Sequence, residues 1–149
     1  MAKILVAGGS LGGLFVANLL HRSGHLVTVL EKSVGSMDGR GAGIVTHEAI
    51  RVALKECGVL VDETLGIYVS KRVTLSSDGA CLGQASIPQI LTSWSRLYQI
   101  LKACFPESLY LQGKVISKLQ QNADEVMVEC EDGSQYTGDL LIASDGIRS

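Results

Sequence analysis

The sequence predicts an α/β fold: a parallel βαβ unit, then mixed helices and strands, an antiparallel meander and a final parallel strand. Three observations predict it. The apolar run Ile4-Leu5-Val6-Ala7 enters Gly8-Gly9-Ser10-Leu11-Gly12-Gly13, a second run, Leu26-Val27-Thr28-Val29-Leu30, ends on Glu31, and Asp139-Leu140-Leu141-Ile142-Ala143 returns late in the chain. Near-continuous apolar runs mark parallel strands buried on both faces, and strands alternating with helical patterns mark βαβ units.

The first turn is glycine-rich because the backbone must leave the strand sharply and because a ligand can approach only where no side chain stands. Leu14 to Leu20 is a helix candidate whose first N–H groups and dipole favour an anion. Glu31, eighteen residues after Gly13, stands at the carboxyl end of the second strand, where a carboxylate can accept from a ribose diol. Strand, glycine turn, helix, strand and acid in this order read as a Rossmann-like adenine-dinucleotide site. Ser10 occupies the place of the second glycine of G-x-G-x-x-G and is small enough for close approach. The alternative is a glycine-rich connector with no ligand.

Residues 35–43 lose periodicity and carry four glycines, a loop suited to contact with something flat or charged. Ile50, Ala53, Leu54 and Cys57 have the three-and-four spacing of an amphipathic packing helix over 47–57, ended by Gly58. Residues 67–87 read as short strands, Ile67–Val69, Val73–Leu75 and Ala80–Leu82, with Asp78-Gly79 as a turn. After Pro88 a helix is predicted from Ser93 to Cys104, with Leu97, Ile100 and Leu101 on one face and Phe105-Pro106 as its stop. Val115-Ile116, Glu125–Glu131 and Gln135–Thr137 follow as strands. Alternation places Val126, Val128 and Cys130 on one face, and Asp132-Gly133 closes the hairpin. The return strand delivers Ser144-Asp145-Gly146 at its carboxyl end, the edge at which open α/β sheets bind ligands.

At 149 residues the chain fits one domain, 1–149. Its 19% charged residues and net charge of −2 carry no electrostatic footprint for nucleic acid. Residues 4–20 are uncharged, but four glycines among positions 8–13 and a length just short of a span argue against a signal or membrane anchor. A cytoplasmic protein without membrane contact is expected. Cys57, Cys81, Cys104 and Cys130 are too widely spaced for a zinc or redox motif and read as buried thiols. His21, His25 and His47 form no ligand cluster; His21 and His25 read as surface residues, and no metal is expected.

Three separated motifs resemble the N-terminal FAD-binding region of the flavoprotein aromatic hydroxylases, the family that includes p-hydroxybenzoate hydroxylase. They are Gly8–Gly13 with Glu31-Lys32, the loop Gly39-Arg40-Gly41-Ala42-Gly43-Ile44, and Ala143-Ser144-Asp145-Gly146-Ile147-Arg148-Ser149, which is similar to the family's Asp-Gly motif. Ser10 and the 39–44 loop are most similar to the 2,6-dihydroxypyridine 3-hydroxylase subgroup. The resemblance covers essentially the whole chain. It implies that the backbone of Ser10, Leu11 and Gly12, within the Gly8–Gly13 turn, holds the FAD pyrophosphate, that Glu31 binds the adenosine ribose and that Lys32 flanks the adenine. It places Arg40, with the backbone of Ala42 and Gly43, beside the ribityl chain and flavin ring. Val115 meets the adenine through its main chain, and Asp145, with Gly146, serves FAD and the passing nicotinamide cofactor. The plainer alternatives are a solvated Arg40, a core Val115 and an Asp145 that only makes a turn.

Many relatives carry an arginine three residues before the leucine matched by Leu97; here Trp94 stands there, and Arg96 is not assigned a cofactor role. Trp94 is either packed near the flavin or a core aromatic. The resemblance further implies that most of a substrate domain, with a later Gly-Asp motif, falls beyond Ser149, so that the chain is truncated and inactive alone. The implied activity is hydroxylation of an aromatic or N-heteroaromatic ring with NADH or NADPH and O₂. The cofactor carries the hard chemistry, so no catalytic residue is assigned. The alternatives are a non-catalytic dinucleotide-binding remnant and an NAD-dependent dehydrogenase. Exposed apolar surface on the return strand predicts association, as a homodimer or through the truncated face.

Overall fold

In the computed structural model, which describes residues 1–35 and 43–146, the first apolar run is β1 (Lys3–Ala7). It is followed by α1 (Leu11–Arg22) and β2 (Leu26–Glu31), which pairs parallel with β1 in the register Ile4↔Val27, Val6↔Val29. Two later strands complete the sheet: β6 (Tyr110–Gln112) adds parallel outside β2, and β10 (Leu140–Ala143) adds parallel to the free side of β1. The order is β10-β1-β2-β6. The α/β class, the βαβ unit and the return strand are as the sequence predicts.

Alternation along the two inner strands explains why they are apolar throughout. Ile4, Val6, Val27 and Val29 pack against α1 and α3 (Trp94–Cys104), whereas Leu5 and Leu30 pack on the opposite face with Val128. Each such fully buried aliphatic side chain stabilises the fold by about 1.5–3 kcal/mol relative to exposure. Ser93 caps α3, its hydroxyl accepting from the Arg96 N–H at 3.1 Å. Asn18 is buried between the helices, where its amide donates to the Leu14 carbonyl at 2.9 Å and to the Leu101 carbonyl of α3 at 3.0 Å. A polar residue on the apolar face of α1 thus ties the two helices together.

The predicted meander is β7 (Ile116–Gln121), β8 (Val126–Cys130) and β9 (Gln135–Gly138), antiparallel in sequence order. Val126, Val128 and Cys130 face inward as predicted. Val115 lies just before the strand it was expected to open. Asp132 shapes the hairpin by accepting from the Ser134 N–H at 3.0 Å.

Between β2 and β6 the chain makes a second antiparallel sheet, β3 (Gly43–Thr46), β5 (Cys81–Ser93) and β4 (Ile67–Leu75), in the order β3-β5-β4. This corrects the expectation of short strands over 67–87. β4 is unbroken, and β5 runs through Pro88 to the α3 cap. Pro88 is tolerated because the ladder shifts register there, from Val69↔Gln89 to Lys71↔Ser86, where the missing N–H costs no regular hydrogen bond. The amphipathic helix is α2 (Glu48–Glu56), with Leu54 buried.

Other expectations are also corrected. β10 is parallel and lies at the sheet edge, so its apolar run is not buried throughout: Leu140 is 49% exposed, the apolar surface expected on the return strand. His21 and His25 are half-buried rather than surface residues: His21 meets Phe105 edge-on at 5.7 Å, and His25 Nδ1 accepts from the Ala2 N–H at 3.2 Å. Among the described residues no His/Cys/Asp/Glu group could hold a metal, and no helix is long and apolar enough to cross a membrane.

Of the four thiols, Cys57 and Cys130 are buried, but Cys81 and Cys104 are exposed. The first lies on the solvated β4–β5 ribbon and the second ends α3, so neither has a core to enter. Ellman's reagent on the native chain should therefore label two thiols quickly and the others only on unfolding; rapid reaction of all four would contradict this packing. Burial pushes the Cys57 thiol from 9.0 to about 11, with a contribution from the nearby Cys104 and opposition from Arg22. Above pH 9 the unfolded chain loses this proton while the folded chain keeps it. Stability should fall by about 2 kcal/mol as pH rises from 9 toward 11, a slope that a Cys57→Ser variant should flatten in urea titrations.

Candidate functional site

The carboxyl edge of the parallel sheet gathers the sequence motifs. At the end of β1, Gly8 takes φ +94°, and a Cβ there would lie 2.6 Å from the Ser144 carbonyl oxygen and 2.7 Å from Asp145 Cα. Only glycine allows the first turn to lie against the exit of β10. The two motifs, far apart in sequence, are thereby in direct contact, joined also by the Ser144 N–H donating to the Ala7 carbonyl at 2.7 Å.

The helix that follows is packed as closely. A Cβ on Gly13 would run into the Gly8 carbonyl oxygen, so α1 can begin beneath the turn only with glycine there. Gly12 differs: among the described residues, a Cβ there would meet no atom within 4 Å beyond its chain neighbours and the backbone of its own helix. Ser10 is the N-cap, but its side chain makes no capping hydrogen bond, and the first turn of α1 contains no acid. The positive pole of α1 is thus left without a competing carboxylate of its own.

Glu31 is 5% exposed. Its carboxylate accepts from the Gly9 N–H at 2.7 Å through Oε2 and from the Ser33 N–H at 2.7 Å through Oε1. Its burial is thus matched by two charge-assisted hydrogen bonds. Next to it the Lys114 N–H donates to the Glu31 carbonyl at 2.9 Å, and the Lys114 ammonium reaches Asp132 at 2.6 Å and Ser134 at 3.2 Å. That pairing holds the Lys114 pKa above its ordinary value and the Asp132 carboxyl well below the usual range. Lys114 thus lines the site with its ammonium paired to Asp132, whereas Lys32 is exposed.

A cavity of about 270 Å³ opens at this edge. Among the predicted residues, Gly8, Ser10, Glu31, Lys32, Val115 and Asp145 line it. The carbonyl of Val115 is occupied by the Glu131 N–H at 2.9 Å. Leu11, Gly12 and Gly13 form the start of α1 beside the turn, and Gly146 follows Asp145 with φ +89°. Gly43 does not line the cavity; it begins β3 opposite Ser93. Arg40 and Ala42, like Ile147–Ser149, lie outside the described residues.

The sequence reading did not single out Ser33 or Lys114, and it left Trp94 open. Trp94 lines the cavity and stacks on Tyr98 with ring centroids 5.2 Å apart and planes 11° apart. Its place three residues before Leu97 was the available signal. Arg96, by contrast, turns away and donates to the Thr64 carbonyl at 3.2 Å.

The same architecture occurs in known proteins. The chain superposes on the structure of 2,6-dihydroxypyridine-3-hydroxylase from Arthrobacter nicotinovorans with a TM-score of 0.87 and 28% identity, covering 97% of this chain and 37% of that one. In sequence it is 29% identical over 144 residues to 2,6-dihydroxypyridine 3-monooxygenase from Paenarthrobacter nicotinovorans, matching 97% of this chain and 36% of that enzyme. The homologues of this chain are FAD-dependent monooxygenases. Among these flavoprotein homologues, HpxO from Klebsiella pneumoniae, a variant solved in complex with FAD, superposes with a TM-score of 0.84 at 25% identity, covering 98% of this chain and 40% of that one. Zeaxanthin epoxidase from Nicotiana plumbaginifolia is 30% identical over 166 residues, with 99% of this chain and 25% of that enzyme covered. The chain therefore spans between 25% and 40% of the length of these flavoproteins. No protein-family model matches it.

Proposed function

We propose that residues 1–149 are the FAD-binding domain of a flavin-dependent monooxygenase, most of whose substrate domain lies outside this sequence. The observation that carries this reading is the Gly8 turn seated on Ser144 and Asp145 at the mouth of one cavity. The glycines fit the group. Gly8 and Gly13 are required by packing, whereas among the described residues the space beside Gly12 is open, which leaves room for a ligand to approach the start of α1 closely.

In this reading the backbone of Ser10, Leu11 and Gly12 meets the pyrophosphate at the positive end of α1. Glu31 retains unused lone pairs beside those that hold Gly9 and Ser33, and these accept from the adenosine ribose. Lys32 and the main chain of Val115 border the adenine. Asp145 and Gly146, just past β10, border the cofactor, and Gly43, at the start of β3, flanks the ribityl and flavin end. A cavity of about 270 Å³ holds only part of an extended dinucleotide, so the remainder needs walls supplied elsewhere.

FAD, when bound, supplies the redox chemistry by which NADH or NADPH and O₂ hydroxylate an aromatic or N-heteroaromatic ring. This chain's residues bind and orient it. Exposed apolar side chains on β4, β5 and β10, including Ile67, Leu82 and Leu140, favour association of copies; light scattering that finds only monomers would overturn that part.

Trp94 is the sole tryptophan and lines the cavity, which supplies the test. Flavin absorbs where tryptophan emits, so FAD should quench most of the Trp94 fluorescence saturably, while NAD should not compete. Absence of quenching, or tighter binding of NAD, would overturn the reading.

A further inference from the structure

We infer that Tyr110 is a positioning residue for the pyrophosphate turn: its hydroxyl fixes the peptide between Gly9 and Ser10 so that the Ser10 N–H faces the ligand. The inference rests on the proposed dinucleotide reading. It starts from a contact across 101 residues, in which the Tyr110 hydroxyl donates to the Gly9 carbonyl at 2.9 Å. The described chain has no cis peptide bonds, and in a trans peptide the C=O and the following N–H point in opposite directions. Holding the Gly9 carbonyl toward the buried tyrosine therefore turns the Ser10 N–H away from the core, and Ser10 lines the cavity. On the other side of Gly9, Glu31 holds the Gly9 N–H at 2.7 Å. Both peptides flanking Gly9 are thus clamped, one by a carboxylate and one by a phenol.

The phenol is itself held. Gly9 has no Cβ because the Tyr110 ring occupies that space, with ring carbons 2.6 Å from where the Cβ would stand. The Lys102 ammonium lies 4.8 Å from the centre of the Tyr110 ring. The Tyr98 hydroxyl is 3.2 Å from that of Tyr110, and since the single Tyr110 proton is committed to Gly9, Tyr98 donates in this pair. Burial, together with Tyr98 and the nearby Glu31, pushes the Tyr110 pKa far above its ordinary value, so the donor proton is retained. Trp94, stacked on Tyr98, connects this array to the cavity wall.

Tyr110→Phe keeps the ring and removes only the donor. In the full 149-residue chain it should raise the Kd for both FAD and ADP about tenfold, the loss of one hydrogen bond's worth of orientation, and leave the Kd for adenosine, which lacks the pyrophosphate, unchanged. Wild-type affinity for ADP in this variant, or an equal loss for adenosine, would overturn the inference, the latter by revealing general damage. If the variant does not fold, the wild-type chain decides: its Ser10 amide resonance should shift on adding ADP and stay in place on adding adenosine. A Ser10 amide unmoved by ADP overturns the inference. A wild-type chain that binds ADP but not FAD would refute the flavin reading alone, and the ADP comparison would still judge Tyr110.

Discussion

Replacing Glu31 with alanine should destabilise the chain by about 3–5 kcal/mol and abolish FAD binding, the largest single-residue loss expected here. The carboxylate is buried and spends both oxygens on backbone donors, Gly9 in the phosphate turn and Ser33 in the segment leaving β2. Charge-assisted bonds of this kind contribute about 1.5–3 kcal/mol each, and their removal leaves two N–H groups without acceptors in poorly solvated positions. Glu31→Gln is the informative companion. It keeps one acceptor oxygen but faces the other N–H with an amide donor, so about half the loss is expected. Urea unfolding measures the first effect and FAD titration of the folded fraction the second. An alanine variant within about 1 kcal/mol of wild type would mean that the carboxylate does not hold the turn.

That experiment bears on how far a sequence shows a site. The acid was legible because its position at the end of a βαβ unit is a local pattern, as were the glycine turn, α1 and the inward face of β8. Its second task was not, since the Gly9 N–H it holds is 22 residues away and no periodicity encodes such a contact. β6 was missed for a similar reason. Three residues, Tyr110, Leu111 and Gln112, are too few for a period, and only pairing with β2 makes them a strand. The length of β5 was obscured by Pro88, a punctuation mark in sequence that the register shift absorbs in three dimensions. The exposure of Cys81 and Cys104 follows from where their elements end, which composition does not report.

The glycines of the turn separate packing from function most sharply. Gly13→Ala should cost about 3 kcal/mol, because its Cβ would run into the Gly8 carbonyl and the obstacle is backbone that cannot rotate away. Gly12→Ala should leave the fold intact and even gain up to about 1 kcal/mol from helix propensity, since among the described residues nothing outside its own stretch of helix lies within 4 Å of the new methyl group. Its effect should fall on the ligand instead. A methyl group in the space that a pyrophosphate must enter should weaken FAD binding by about tenfold or more, while the melting temperature holds or rises. The two variants, differing by one position, should thus move stability and affinity in opposite patterns. Wild-type FAD affinity in Gly12→Ala would mean that the cofactor does not approach α1 at this point. Wild-type stability in Gly13→Ala would mean that the turn and the helix are not packed as described, and the physical reason for reading Gly12 as the ligand-facing glycine would go with it.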